Sequence, residues 1–236
     1  PWRISGSPPL PITRVSAGTG FEGGRKTSRS IAQELGVAIH RKPAAGPANP
    51  VRVTVGVIDF GIDFAHSHFL MNGRTRIKAI WDQSGIKKKG NSPVKYGRLY
   101  RSAEINNALK AEDPYKALGY SPPVDSLYDT GAHGTYVADI AAGSGFGGQS
   151  AGFAPGAEII FVDLARTPSH NFVGCRYGDS AQLLEAVDFI LRESGDKPCV
   201  INISIGSNDG PHDGITAVEL GIDRLIERKK KCAVVI

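Results

Sequence analysis

Residues 51–63 of the 236-residue chain read VRVTVGVIDFGID, and they predict a buried strand that ends in a carboxylate. A continuous run of β-branched residues is typical of a parallel strand that is covered on both faces. Asp59 is the first polar residue after the apolar run, and Gly61 allows the chain to turn there. An aspartate at a strand end is often a turn former or a helix cap. Asp59 alone therefore does not identify a site.

A second segment, GAHGTYVADIAAG at residues 131–143, predicts a helix that begins near His133. Sites in open parallel sheets form outside the carboxyl ends of the strands, and a helix start faces the same crevice. Asp59 and His133 are therefore expected to meet at one edge of the sheet. A carboxylate that orients a histidine forms two thirds of a nucleophilic hydrolase site. Asp59 and His133 are the candidate catalytic residues.

The rest of the chain alternates between strand and helix patterns. Strands are expected at 157–164 and 199–205, and amphipathic helices at 180–194 and 215–229. This alternation predicts an α/β fold with a doubly wound, mostly parallel sheet and helices on both faces. The last residues, CAVVI, begin another apolar strand. The sheet is therefore expected to be incomplete at the C-terminus of this chain.

Two regions lie outside the regular alternation. Residues 1–50 are rich in Pro, Gly, Ser and Arg, and they are expected to form an N-terminal arm or linker before a domain at 51–236. Residues 71–130 contain several Pro and Gly and only short periodic pieces. We interpret residues 71–130 as an insertion of surface loops between the two candidate catalytic segments.

The composition argues against nucleic-acid and membrane partners. The net charge of +5 is modest, and much of it lies in two basic runs at 87–89 and 228–231. Such runs are usually solvated, and a nucleic-acid surface would interleave them with aromatic residues. No apolar run approaches the ~18 residues that span a bilayer. The three cysteines lack CxxC spacing, so neither a zinc site nor a disulfide framework is expected.

Four segments, in order, resemble the motifs of the subtilisin-like serine peptidases (subtilases). VTVGVIDFGID at 53–63 resembles the family's Asp-(Thr/Ser)-Gly strand end, and AHGTYVADIAAG at 132–143 resembles His-Gly-Thr-His-Val-Ala-Gly. GFAPGAEIIFVDL at 152–164 resembles the following Gly-Val-Ala-Pro-x-Ala strand. VINISIGS at 200–207 resembles the Asn-x-Ser-Leu-Gly strand that lines the substrate cleft. The strings RIKAIWDQ and GPHDGITAVELGIDRL further resemble a bacterial subgroup with a long Asp-to-His insertion.

The resemblance implies that residues 51–236 are the N-terminal part of a subtilase catalytic domain with serine endopeptidase activity. Asp59 would hold the imidazole, and His133 would take the proton from a serine and return it to the leaving amine. Calcium is common in the family, but no acidic loop of recognisable spacing occurs, so no metal site is assigned and no cofactor is expected.

The resemblance also implies a substrate-binding strand at Ser204, Ile205 and Gly206, whose backbone would pair with an extended peptide. The expected partners are a protein or peptide substrate and the remainder of the chain's own catalytic domain. Family members are often secreted or held at the cell envelope. Residues 1–11 lack the layout of a signal peptide, so the location stays open.

Five positions depart from the family pattern. Phe60 replaces a small hydroxyl residue, which removes one expected hydrogen bond to the Asp59 carboxylate. Asp139 stands where Gly is usual, and it is expected either to face solvent or to crowd a neighbour. Ser67 and His68 replace the usual Pro-Asp, and His68 is interpreted as a loop residue that binds no metal. Tyr136 replaces a second histidine.

The family's nucleophile motif, Gly-Thr-Ser-x-Ala, does not occur in residues 1–236. The serine is therefore expected to lie beyond this chain, and the fragment alone is expected to be nearly inert. Two alternatives remain open. A non-catalytic subtilase homologue acting as a binding or scaffold protein would fit the departures at Phe60 and Asp139. An unrelated α/β metal hydrolase would need more ligands than Asp59 and His133.

Overall fold

The strand predicted at the start of the domain is an interior strand of the sheet. β1 is Thr54–Asp59, and all six of its residues are buried. It pairs in parallel with β6, Glu158–Asp163, on one side and with β9, Cys199–Ile203, on the other. The computed structural model describes residues 53–85, 92–124, 131–145, 150–167, 176–177, 180–205, 211 and 213–236.

The described residues form a six-stranded main sheet. Its remaining strands are β4, Ile77–Asp82, β5, Arg98–Arg101, and β10, Cys232–Val235. The strand order is β10–β9–β1–β6–β4–β5. Every neighbouring pair is parallel except β4 and β5, which are antiparallel. The predicted mostly parallel sheet is confirmed.

The described parts of residues 71–130 are not only surface loops, and that expectation is wrong. They supply β4, whose Trp81 is fully buried, and β5 at the edge of the sheet. They also supply β3, Arg74–Thr75, paired with β2, Leu70–Met71, and the helices α1, Ser102–Ala108, and α2, Pro114–Leu118. β4 reads IKAIWD, and Lys78 interrupts its apolar run, so this short segment carries a weaker strand signal than the uninterrupted run of β1.

Helices cover both faces of the sheet, as predicted. On one face α3, His133–Ala142, buries Ala138 and Ala142 against residues such as Phe161. On the other face α4, Ser180–Glu193, packs its apolar stripe against Ile58 and Ile160, and α5, Ala217–Glu227, joins the same cluster through Ile222. α5 begins after Thr216 because that residue and Glu219 form a capping box.

Several expectations fall on residues outside this description. The N-terminal arm at 1–50 is one of them, and the basic run at 87–89 is another.

A short ribbon is formed by β7, Arg166–Thr167, and β8, Arg176–Tyr177. In the described part of the chain, no helix is both long and apolar enough to cross a membrane.

Candidate active site

The two candidate catalytic residues meet at the carboxyl edge of the sheet. Asp59 is the last residue of β1 and is fully buried, whereas His133 is the first residue of α3 and its side chain is 41% exposed. The Nδ1 atom of His133 lies 2.8 Å from Oδ1 of Asp59. This contact fixes the imidazole by one nitrogen and leaves the ring partly open to solvent, as a general base requires.

The start of α3 is fastened to the turn that follows β1. The N–H group of Gly134 donates to the carbonyl of Phe60 at 2.9 Å, which satisfies one of the four N–H groups that a helix start leaves unpaired. The N–H group of Asp63 donates to Oγ1 of Thr135 at 2.8 Å. His133 directly precedes these two attached residues, and its position follows that of the turn.

Gly134 is required here by close packing. A Cβ atom at this position would lie 2.4 Å from the Phe161 ring and 2.7 Å from the carbonyl oxygen of Gly61. A helix carrying any larger residue at position 134 would have to move away from the sheet. Gly61 adopts a φ of +65°, a conformation that favours glycine. The glycines that flank the two motifs thus bring the helix and the turn into contact.

The loss of a hydroxyl at Phe60 does not leave the carboxylate without support. The backbone N–H group of Phe60 itself donates to Oδ1 of Asp59 at 2.6 Å. Oδ1 thus accepts from a backbone N–H group and from the imidazole. A short charge-assisted bond of this kind stabilises an ionised carboxylate in a buried place.

Four consecutive backbone N–H groups in the turn after β1 donate to side-chain oxygens. The N–H groups of residues 60 and 61 donate to the carboxylates of Asp59 and Asp163. Those of residues 62 and 63 donate to the hydroxyl groups of Tyr120 and Thr135. No regular strand or helix pairing holds this backbone, so its conformation depends on those side chains. Tyr120 and Asp163 were missed by the sequence analysis.

The predicted cleft strand ends at the same edge of the sheet. Ile203 pairs with Ile58 across β9 and β1, so Ser204 follows at the level of Asp59. Ser204 is exposed and accepts a hydrogen bond from Nδ2 of Asn202 at 2.7 Å, and Ile205 is half-buried. Gly206 lies outside the described residues. Their role in substrate binding stays a prediction.

A family model described as the subtilase family (Peptidase_S8) matches residues 51–236. The chain belongs to the subtilase family. The subtilisin-like protease SBT3 of Solanum lycopersicum is 29% identical over 185 residues, a match that covers 76% of this chain and 23% of the relative. The subtilisin-like protease SBT3.17 of Arabidopsis thaliana is 31% identical over 169 residues, covering 65% of this chain and 21% of the relative.

A solved protease structure agrees with the fold. The CspB protease of Clostridium perfringens is 31% identical to this chain with a TM-score of 0.58. The match covers 77% of this chain and 35% of the CspB structure. This chain thus spans about a fifth to a quarter of the length of the curated subtilases it matches. The resemblance to subtilases and the subtilisin-like fold class are confirmed.

Two departures from the subtilase pattern contact each other. Nδ1 of His68 lies 2.7 Å from Oδ1 of Asp139, and the two side chains are 3% and 33% exposed. His68 is therefore not a loop residue as expected: it lies in a 3₁₀ helix at Ser67–Phe69, and its side chain is buried. The sequence left the position of Asp139 open between solvent and a crowded neighbour, and the structure shows a third arrangement, an imidazole–carboxylate pair.

The His68–Asp139 pair joins α3 to the segment after β1. The guanidinium of Arg76 lies beside it, and one of its nitrogens donates to the carbonyls of His68 and Ala142 at 2.6 Å each. Gly143 leaves room for the carboxylate, since a Cβ atom there would lie 1.8 Å from Oδ1 of Asp139. The signal that could have found this pair is that both residues depart from the family pattern.

Within the described ranges, no three His, Cys, Asp or Glu side chains converge as metal ligands would. The imidazole rings of His66 and His68 lie 4.7 Å apart. The Nδ1 atom of His68 contacts the Asp139 carboxylate.

Proposed function

We propose that this chain carries the acid–base half of a serine endopeptidase site, with Asp59 and His133 as two members of an Asp-His-Ser triad. The observation that supports this most directly is the 2.8 Å contact between Nδ1 of His133 and a buried carboxylate oxygen of Asp59. Membership of the subtilase family supports the same reaction class. The expectation that no cofactor takes part belongs to this proposal.

In this mechanism Nδ1–H of His133 donates to Asp59, so the other ring nitrogen, Nε2, is free to accept a proton. Nε2 takes the proton of the attacking serine hydroxyl and later returns it to the leaving amine. The charge that His133 carries between these two steps is stabilised by the Asp59 carboxylate. Burial of Asp59 strengthens that interaction, because the local dielectric constant is low.

The nucleophile and the oxyanion donors belong, in this proposal, to residues outside 1–236. Residues 1–236 contain no Gly-Thr-Ser-x-Ala motif. The curated subtilases that this chain matches are more than four times as long as the matched segment. The partners would then be a protein or peptide substrate and the rest of the catalytic domain. Ser204, Ile205 and Gly206 would pair with the extended substrate backbone.

The test is labelling of the full-length protein with a serine-directed fluorophosphonate probe, together with cleavage of a denatured protein substrate. Wild-type protein is expected to be labelled and to cleave. Asp59→Asn and His133→Ala are expected to lose on the order of 10⁴- to 10⁶-fold in turnover, as triad hydrolases in general do. Asp188→Asn is a matched control, because Asp188 lies on α4 and pairs only with Arg192 at 2.7 Å among the contacts described.

Absence of labelling, together with cleavage that Asp59→Asn and His133→Ala leave unchanged, would refute the proposal. The same experiment decides the alternative of a non-catalytic homologue that acts as a binding or scaffold protein. That alternative drew on Phe60 and Asp139. Phe60 was expected to cost the Asp59 carboxylate one hydrogen bond, but the backbone N–H group of Phe60 donates to that carboxylate. Asp139 pairs with His68. Neither of these two contacts is evidence against a catalytic role for Asp59 and His133.

A further inference from the structure

The turn after β1 is held by two residues to which the sequence analysis gave no role. Tyr120 comes from the segment between α2 and α3, and Asp163 is the last residue of β6. We propose that Tyr120 and Asp163 are positioning residues for the Asp59–His133 pair, and that the segment inserted between the two catalytic motifs works as a clamp on the turn. This inference rests on the proposed peptidase function.

Asp163 connects the turn to the sheet. It lies opposite Asp59 in the register of β1 and β6, and it is 9% exposed. Its Oδ1 accepts the N–H group of Gly61 at 2.9 Å, and its Oδ2 accepts the hydroxyl of Tyr120 at 2.7 Å. One carboxylate therefore fixes both the turn and the inserted segment.

Tyr120 completes the connection. Its hydroxyl donates to Asp163 and accepts the N–H group of Ile62 at 3.1 Å, and the residue is 5% exposed. Burial, reinforced by the neighbouring Asp163 charge, raises the pKa of Tyr120 well above 10. The phenol therefore stays protonated at neutral pH and keeps its donor role. Removal of this hydroxyl would leave the buried N–H group of Ile62 without its acceptor.

Two further contacts from the inserted segment reach the same turn. The hydroxyl of Tyr115 donates to Oδ1 of Asp63 at 2.8 Å. Pro123 packs on Gly61 so closely that a Cβ atom added to the glycine would lie 2.5 Å from the proline Cδ. The clamp thus touches three successive positions of the turn, at residues 61, 62 and 63.

Phe60 connects the clamped turn to both Asp59 and the helix that begins at His133. Its N–H group donates to the Asp59 carboxylate, and its carbonyl accepts from Gly134 at the start of α3. A rotation of the peptide groups at Gly61 and Ile62 would displace the Phe60 carbonyl and with it the helix that begins at His133. A displacement of about 1 Å can cost on the order of 10²-fold in rate.

The experiment compares Tyr120→Phe with Tyr100→Phe in the full-length protein. Both changes remove one phenol hydroxyl from a buried residue and keep its ring, so the packing of the Tyr100 ring at 5.6 Å from that of Tyr120 is retained. The hydroxyl of Tyr100 donates to the carbonyl of Gly119 at 2.9 Å, and among the described contacts it makes no hydrogen bond to the turn. Tyr120→Phe is expected to lower kcat by about 10- to 100-fold with KM within about twofold. Tyr100→Phe is expected to keep kcat. Asp163→Asn retains an acceptor for Gly61 and should keep more activity than Asp163→Ala.

A second measurement does not depend on activity. The Nδ1 proton of His133, hydrogen-bonded to Asp59, is followed by proton NMR. Tyr120→Phe is expected to shift or broaden this resonance, whereas Tyr100→Phe leaves it unchanged. If the wild type cleaves substrate and Tyr120→Phe matches Tyr100→Phe in kcat and in the spectrum, the clamp is refuted while the peptidase function stands. If the wild type does not cleave but the resonance responds to Tyr120→Phe alone, the geometry of the clamp stands and the peptidase function fails.

Discussion

Restoring the family residues at His68 and Asp139 tests whether these two departures form one unit. The changes are His68→Asp and Asp139→Gly, made singly and together. The two side chains are joined by a 2.7 Å contact between Nδ1 and Oδ1, and His68 is 3% exposed. If the pair acts as a unit, each single change should be costly and the double change should be tolerated better than the two singles predict.

The magnitudes follow from burial and charge. His68→Asp places a second carboxylate against Asp139 in a buried site, which should lower the free energy of unfolding by about 4 kcal/mol. Asp139→Gly removes a charge-assisted hydrogen bond worth about 2 kcal/mol and adds a few tenths for glycine in a helix. Asp139 is 33% exposed, so solvent screening keeps the bond at the lower part of its usual range. The double variant lacks the repulsion and should lose about 3 kcal/mol.

The assay is urea unfolding of the full-length protein, followed through tryptophan fluorescence, to which Trp81, fully buried in β4, contributes. The expected coupling is about 3 kcal/mol in favour of the double variant, with an unchanged dependence on urea concentration. Additivity of the two single changes within about 0.5 kcal/mol would show that the departures are independent, and the pairing argument would then be wrong.

Three further outcomes are expected. Stability should fall as pH rises above about 10, because the unfolded Tyr120 ionises there while its raised pKa keeps the folded phenol protonated. In urea titrations between pH 10 and 11.5, Tyr120→Phe should reduce that slope by at most about 1.4 kcal/mol per pH unit. Gly134→Ala should lower both stability, by about 1–3 kcal/mol, and turnover per folded molecule, because its Cβ would meet Phe161 at 2.4 Å beside the proposed catalytic residues Asp59 and His133. Gly56→Ala, whose Cβ would meet Ile190 at 2.5 Å on the opposite face, should cost a similar amount of stability in thermal unfolding while peptide turnover is kept; equal turnover losses in the two alanine variants would contradict this assignment.

The fold was largely predictable because its main signals are local. β1 reads as an uninterrupted apolar run, and its burial on both faces demands that pattern. α4 carries an apolar stripe at helical spacing, and its observed bounds, Ser180–Glu193, differ by one residue from the expected range. The uninterrupted apolar run of β1 and the 14-residue length of α4 make each element recognisable without its partners.

The strands between residues 71 and 130 were not predictable in the same way. β4 is as long as β1, but Lys78 interrupts its apolar run, and it is a strand because β6 and β5 pair with it on its two sides. β6 lies about eighty residues away along the chain, and residues 83–97 separate β4 from β5. Pairing between distant segments leaves little trace in a short local pattern.

For the candidate site, the chain order and motifs of Asp59 and His133 were sufficient to expect their meeting at the edge of the sheet, because parallel strands and a following helix start share that edge. The contacts of Tyr120, Asp163, His68 and Asp139 depended on the folded structure. Each of these residues bonds to a partner from a separate part of the chain, such as Tyr120 with Asp163 at 2.7 Å. Periodicity and motif spacing report which face a residue lies on and how an element begins, whereas a hydrogen bond between distant side chains is set by the approach of two elements, and that approach is fixed only when the whole core packs.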